Sequence, residues 1–342
     1  MKDYTLKYGK GSVTFALDEA HVTELYGTPV PKIDDIRAAL YATLSSPVSH
    51  EPLESWVNPE DKVALIVSDM SRFWMRQDLV VPHIISYLTD KCDVNQNNIT
   101  IIIANGTHPG GDENELRTLV TDGVYDRIRV VNHDCQAKDL VYIGTTSLGT
   151  EVRINPIATN ADKVIMLGAC TYHVMAGYGG GRKSILPGIS GLETIRQNHL
   201  HSLDLLAPRS NPLIGNGVTD GNPLNEDMCQ AAAMVKNLFG INLVTNADMQ
   251  LAHIISGDPM KSWQLACHRV DEIYRVPIVK KADVIITSCG GYPKDMSLYQ
   301  GTKIIDNVES GLNAGGTLIV LMEAVEAVSY THLRAHETRH DL

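Results

Sequence analysis

The residues most able to do chemistry gather between Thr171 and Gly191, where His173 and Lys183 are set among six glycines. Glycine lets backbone approach a bulky ligand closely, so this stretch reads as a binding loop. Gly177, four residues and then Arg182-Lys183-Ser184 nearly reproduce a phosphate-binding P-loop. The match breaks where Arg182 replaces the last glycine. It breaks again at Pro187, because the residues after a P-loop lysine must open a helix and proline biases Leu186 away from helical angles. A helix is expected later: Ser190 and Glu193 have capping-box spacing, which puts the first turn at Gly191 and carries Asn198 and His199 to the far end. Taken alone, Lys183 is an ordinary phosphate-binding lysine and His199 a cation at the negative end of a helix dipole.

Shorter polar segments accompany this loop. Asp69-Met70-Ser71-Arg72, Gly106-Thr107-His108 and Asn132-His133-Asp134 each follow an apolar run, and Tyr299-Gln300 with Lys303 lies near a helix start. His133 is a further candidate, although a polar loop histidine is its common reading.

Strands must hold these segments together. Apolar runs at 63–67, 99–104, 129–132 and 163–167 read as buried strands, with helical stretches such as 79–91 and 113–119 separating several of them. That alternation predicts an α/β fold with a parallel sheet covered by helices. Ligands of such sheets gather beyond the carboxyl ends of the strands, where Asp69, His108, His133 and His173 fall. Upstream, residues 5–17 alternate around Gly9-Lys10-Gly11 as a hairpin and 33–45 as a helix. Downstream, a strand at 283–288, the loop Gly290-Gly291-Tyr292-Pro293, a helix from about 297 and a strand at 316–322 begin a second αβ unit. The expected organisation is a parallel-sheet N-terminal domain, residues 1–279, carrying the cofactor and catalytic residues, and the start of a second, incomplete αβ domain, residues 280–328. Residues 329–342 have no apolar period and resemble a vector-derived tail, so they are set aside. His332, His336 and His340, four residues apart, offer only adventitious metal binding.

Of 342 residues, 44% are hydrophobic and 20% charged, enough for about two domains. The net charge of -11 and 6% aromatic content disfavour nucleic acid as a partner, which needs a basic stripe and ring faces. The N-terminus lacks a signal-peptide core and no apolar run approaches the ~18 residues of a membrane helix, which gives an expected cytoplasmic location with no membrane partner. Six dispersed cysteines, none in a Cys-x-x-Cys pair, read as reduced thiols. No Gly-x-Gly-x-x-Gly lies between a strand and a helix, since Gly215-Asn216-Gly217 with Gly221 has the wrong spacing; a nicotinamide dehydrogenase is disfavoured.

Taken in order, Asp69-x-x-Arg72, Gly106-Thr-His108, Asn132-His-Asp134, His173-x-x-Ala-Gly-Tyr-x-Gly-Gly-x-Lys183-Ser-Ile-Leu-Pro-Gly188, Thr194-Ile-x-x-Asn-His199 and Tyr299-Gln-x-x-Lys303 resemble the lactate racemase family over roughly residues 69–322. The resemblance implies a racemase or epimerase of a small 2-hydroxy acid. It also implies a nickel-pincer nucleotide, a pyridinium mononucleotide whose two thioacid groups hold nickel through one carbon and two sulfurs. By motif Lys183 tethers that cofactor and His199 completes the nickel square; soft sulfur with imidazole suits nickel(II). Asp69, Met70, Ser71 and Arg72 would lie against the cofactor. Cofactor-synthesis enzymes would be maturation partners.

Inverting a carbinol centre needs a proton carrier on each face, and imidazole exchanges protons near neutral pH. The resemblance gives these roles to His108 and His173. Arg72 could pair two-pronged with the substrate carboxylate, and Gln300 and Lys303, three apart on one helix face, would add substrate contacts. Where lactate racemase follows its arginine with prolines, this chain has Phe73-Trp74-Met75-Arg76, so a bulkier wall and an extra cation are expected beside Arg72. Family members continue several dozen residues further, so a truncated second domain is expected. The main alternative from another class is a non-catalytic αβ protein that holds a nucleotide or anionic metabolite at glycine loops and helix N-termini.

Overall fold

The structure, a computed structural model, describes residues 1–325 apart from Pro293 and Ser297. The segment 329–342 and its three histidines lie outside the described residues. Two compact units are present: Thr28–Arg275, and a second that joins Met1–Gly27 to the chain from Val276 onward.

Strands β1 (Lys2–Tyr8) and β2 (Gly11–Leu17) form the expected hairpin, with Gly9 at φ +52° in its turn. The sequence reading placed it within residues 1–279; it packs instead with the second unit. The reason is local. The Gly9 N–H donates to the buried Asp295 carboxylate at 2.7 Å, and the Gly9 carbonyl accepts from the Tyr292 N–H at 2.7 Å.

The larger unit runs α1 (Ile36–Ser45), α2 (Leu53–Trp56), β3 (Val63–Ser68), α3 (Val81–Asp90), β4 (Ile99–Ala104), α4 (Glu113–Val120), α5 (Asp122–Tyr125) and β5 (Arg129–Asn132). It continues with β6 (Val141–Thr145), β7 (Glu151–Ile154), α6 (Pro156–Thr159), β8 (Lys163–Ala169), β9 (Tyr172–His173), β10 (Gly177–Tyr178) and α7 (Leu192–Leu200). After these come β11 (Leu203–Asp204), β12 (Arg209–Ser210), α8 (Pro223–Ala233), β13 (Leu238–Thr245), β14 (Leu251–Gly257) and α9 (Pro259–Tyr274). Six strands make one sheet in the order β14-β13-β8-β3-β4-β5. Every neighbouring pair is parallel except β13 with β14, a hairpin that gives the expected parallel sheet an antiparallel edge.

The central strands carry apolar residues on both faces because helices cover both. On β3, Val63, Leu65 and Val67 pack with α1, α3 and α4, whereas Ala64 and Ile66 face α7 and α8. Each fully buried Leu or Ile contributes about 2 kcal/mol, so stability resides in this sheet and the loops at its edge are released for chemistry. Helix starts follow side-chain logic: Asp112 and Glu115 close a capping box on α4, and Asp258 caps α9 ahead of Pro259.

In the second unit β15 (Ala282–Ser288) and β16 (Leu312–Leu321) pair in parallel around α10 (Leu298–Val308). Among the described residues no helix is long and apolar enough to cross a membrane, and all six cysteines are free thiols.

Candidate functional site

Asp69, His108 and His173 come off three strands of one sheet edge, β3, β4 and β8, with β3 in the middle. Beyond β3 the chain turns into a 3-10 helix, Met70–Met75, whose position is fixed by Gln77. That fully buried amide donates to the Ser68 carbonyl at 2.8 Å and accepts the Ser68 N–H at 3.1 Å, extending the strand with a side chain. Ser71 Oγ then donates to Asp69 Oδ1 at 2.6 Å, and Arg72 Nη1 donates to Ser71 Oγ at 3.0 Å. Met70 leans on the hydrophobic core beneath. The bulkier wall and extra cation expected at 73–76 resolve differently: Met75 is fully buried, Phe73 and Trp74 pack against the core, and Arg76 pairs two-pronged with Asp78 at 3.0–3.1 Å.

His108 follows a tight turn in which Gly106, at φ +56°, donates its N–H to the Gly188 carbonyl at 3.0 Å and so ties two loops together. Its Nδ1 lies 2.5 Å from Asp69 Oδ2, while half of its side chain stays exposed. Burial opposes the Asp69 charge, but hydrogen bonds from His108 and Ser71 and the nearby Arg72 guanidinium outweigh it and hold this carboxyl below the ordinary range. His108 Nδ1–H thus faces a carboxylate, which leaves the lone pair at Nε2.

His173 sits on the two-residue strand β9, opposite Gly177 of β10. Its Nδ1 accepts the N–H groups of Met175 and Ala176, both at 3.2 Å, which fixes the orientation of the ring and leaves Nε2 as its other contact point. That Nε2 is 3.2 Å from Lys183 Nζ. Asp271 of α9 anchors the hairpin: its Oδ1 accepts from Tyr172 at 2.7 Å and Tyr178 at 2.6 Å, the two cross-strand partners flanking His173. Burial and the Asp271 carboxylate push both phenols up, which keeps them donors.

Lys183 occupies a 3-10 turn, Gly181–Ser184, and no α-helix begins until α7, as the failed P-loop match implied. The Ser190–Glu193 capping box is absent. Ser190 Oγ donates instead to the Ile185 carbonyl at 2.7 Å, and Gly191 is the cap, without a side-chain bond. Helix α7 carries His199 to its last turn, where Nδ1–H donates to the Ile195 carbonyl at 2.8 Å. Burial lowers the His199 pKa and the Lys183 charge adds to that. The ring is therefore neutral with its lone pair on Nε2, the form and second-shell bond a metal-ligating histidine needs. A nickel-holding role fits these residues, although among the described residues no three His, Cys, Asp or Glu side chains form a metal cluster.

His133 is not a site residue in this arrangement. It is 2% exposed, donates from Nε2 to the Ser190 carbonyl at 2.9 Å and accepts from Asn155 at Nδ1, so both nitrogens serve the core. Gln300 and Lys303 lie on α10 of the other unit; Lys303 is half-buried, and the Gln300 side chain is outside the described residues. Sequence reasoning missed Gln77, whose side-chain pairing with a strand end has no motif, and Asp271, which is 99 residues from Tyr172 and leaves no local spacing to read.

The lactate racemase N-terminal domain family matches residues 8–209, and the lactate racemase C-terminal domain family matches residues 278–332. The lactate racemase of Thermoanaerobacterium thermosaccharolyticum is 28% identical over 335 residues, 95% of this chain and 75% of that protein. The lactate racemase of Lactiplantibacillus plantarum is 28% identical over 324 residues, 93% of this chain and 74% of its own length. The structure of the T. thermosaccharolyticum lactate racemase apoprotein superposes with a TM-score of 0.85 at 27% identity, covering 95% of this chain and 75% of that one. A Thermotoga maritima protein of known structure, 18% identical with a TM-score of 0.57 over 77% of this chain and 64% of its own, shares the fold. With more than half its residues matched by the N-terminal domain family alone and the fold retained, this chain is a member of the lactate racemase family of isomerases.

Proposed function

We propose that this protein racemises or epimerises a small 2-hydroxy acid, using His108 and His173 as proton carriers on opposite faces of the carbinol carbon. The observation that carries the proposal is the contact between His173 and Lys183 at 3.2 Å, on the same sheet edge as the Asp69–His108 pair at 2.5 Å. In this reading Lys183 tethers a nickel-pincer nucleotide and neutral His199 ligates its nickel through Nε2. When bound, that group supplies the hydride acceptor. The protein's own residues do the rest. His108 takes the hydroxyl proton at Nε2 while Asp69 fixes its tautomer and orientation. His173 serves the other face, its ring held by the Met175 and Ala176 N–H groups at Nδ1. Arg72 offers its guanidinium to the substrate carboxylate, with Gln300 and Lys303 as further substrate contacts. A cytoplasmic setting supplies the cofactor-synthesis enzymes that maturation requires.

The test is an intact mass of protein produced together with those enzymes, plus nickel analysis. The parent should gain the nucleotide mass and about one nickel per chain, the stoichiometry expected for a metal held by a single tethered group. Lys183→Ala should gain no mass, and His199→Ala should keep the mass but lose nickel. A protein that binds nucleotide without turning it over would take neither nickel nor a covalent adduct, and an unchanged adduct in Lys183→Ala would remove the tether from the mechanism.

A further inference from the structure

We propose that Arg182 is a positioning residue that sets Lys183 and His173 against each other by holding the loop between them. This deepens the assignment of those two residues above and rests on it. Arg182 is the residue that spoils the P-loop match, and it is the largest fully buried side chain among the described residues, 1% exposed. A guanidinium has five N–H donors in a planar fork, and here all are used. Nε and Nη2 donate to Asn225 Oδ1 at 2.9 and 2.6 Å, and Nη2 also to the Ala176 carbonyl at 2.7 Å. Nη1 donates to the Tyr178 carbonyl at 2.9 Å and, more weakly, to those of Gly179 and Gly180 at 3.4 Å. Its flat face rests 3.8 Å from the Trp263 ring centre, and Trp263 Nε1–H donates to the Gly179 carbonyl at 2.8 Å.

The acceptors span the chain from just after His173 to just before Lys183. A P-loop turns its N–H groups inward around a phosphate; this loop turns its carbonyls inward around its own arginine. Gly177, Gly180 and Gly181 all have positive φ, so little in the local backbone resists other conformations. The guanidinium removes that freedom, because releasing it would leave a buried charge and several buried carbonyls unpaired at once. Ala176 is central: its carbonyl accepts from Arg182 while its N–H donates to His173 Nδ1. Arg182 therefore reaches the histidine ring through a single residue, Ala176. Lysine cannot substitute, having the charge without the fork.

The experiment compares parent, Arg182→Lys and Arg182→Met, each made without cofactor, at temperatures where circular dichroism shows it folded. Two quantities are read: the reductive methylation rate of Lys183 by peptide mass, and the His173 imidazole nitrogen signals by long-range proton–nitrogen NMR. Arg182→Met should change Lys183 labelling by roughly tenfold, the size of one lost hydrogen bond in a local equilibrium, and shift the imidazole nitrogen signals of His173. Arg182→Lys should recover little of either. If neither variant folds, Asn225→Leu, which keeps the arginine and removes its side-chain acceptor, should move both readouts in the same direction. Folded variants with parental labelling and parental His173 signals would overturn the proposal and leave Arg182 as filler. The underlying reading fails separately: a Lys183→Ala chain that still gains the cofactor mass would reassign the tether without altering these cofactor-free measurements.

Discussion

His108 and His173 stand on either side of β3 and are held in opposite ways. A carboxylate positions the first, whose side chain is half exposed and whose Nδ1–H points at Asp69. Backbone positions the second, whose Nδ1 accepts two loop N–H groups. One setting works through charge and should respond to anything that alters Asp69. The other works through shape and should respond to whatever loosens the loop.

The largest effect should come from removing either ring. His108→Ala and His173→Ala should each lower racemisation by about 10²–10⁴-fold while the nucleotide mass is retained; a variant that keeps near-parental rate would reduce the pair to a single carrier. Asp69→Asn should break only the His108 side, with a loss of about 10²-fold and altered His108 nitrogen signals beside unchanged His173 signals. The same variant has a stability signature. Because the folded Asp69 pKa is depressed, its contribution is present above the ordinary carboxylate pKa and is lost as pH falls through the lowered value. Denaturant unfolding should therefore separate parent from Asp69→Asn at pH 7 and bring them together in strong acid. Asp271→Leu should act only on the His173 side, by about tenfold or less, as expected for displacing two hydrogen bonds that do not touch the reacting atoms. A shift in His108 signals there would blur the distinction between the two settings.

His133→Gln is the smallest and the control. Burial depresses the His133 pKa, so its stabilisation is complete above the ordinary histidine value and fades as pH falls through the folded one. Replacing it should flatten the parental decline in stability between pH 7 and 5 and leave racemisation unaltered.

Why these residues were unequally legible is a matter of distance along the chain. Strands β3, β4 and β8 announce themselves because a strand covered on both faces must be apolar at nearly every position, as Val63–Ser68 is. The strand-end rule then puts Asp69, His108 and His173 together. The edge hairpin β13–β14 and the anchoring helix α9 were not read, and with them went Trp263 and Asp271, which lie 90 or so residues from the loop they secure. The capping box failed for a related reason. Ser190 has the right spacing, but the Ile185 carbonyl, buried by the loop's path, claims its hydroxyl first. Arg182 was noticed only as a flaw in a motif, since nothing local says that a charge will be enclosed by carbonyls.

The hairpin of residues 1–27 carries a consequence for synthesis. It is made well before the groups that complete it, Tyr292 and Asp295, which are some 280 residues further along the chain. At roughly 5–20 residues per second, a ribosome exposes them about 15–60 s later. Meanwhile Thr28–Arg275 can close on its own, its two ends already joined where the Thr28 N–H donates to the Ile273 carbonyl at 2.8 Å. The larger unit is thus an insertion in the sequence of the smaller one, and the early hairpin waits for the loop whose Tyr292 and Asp295 bond to Gly9.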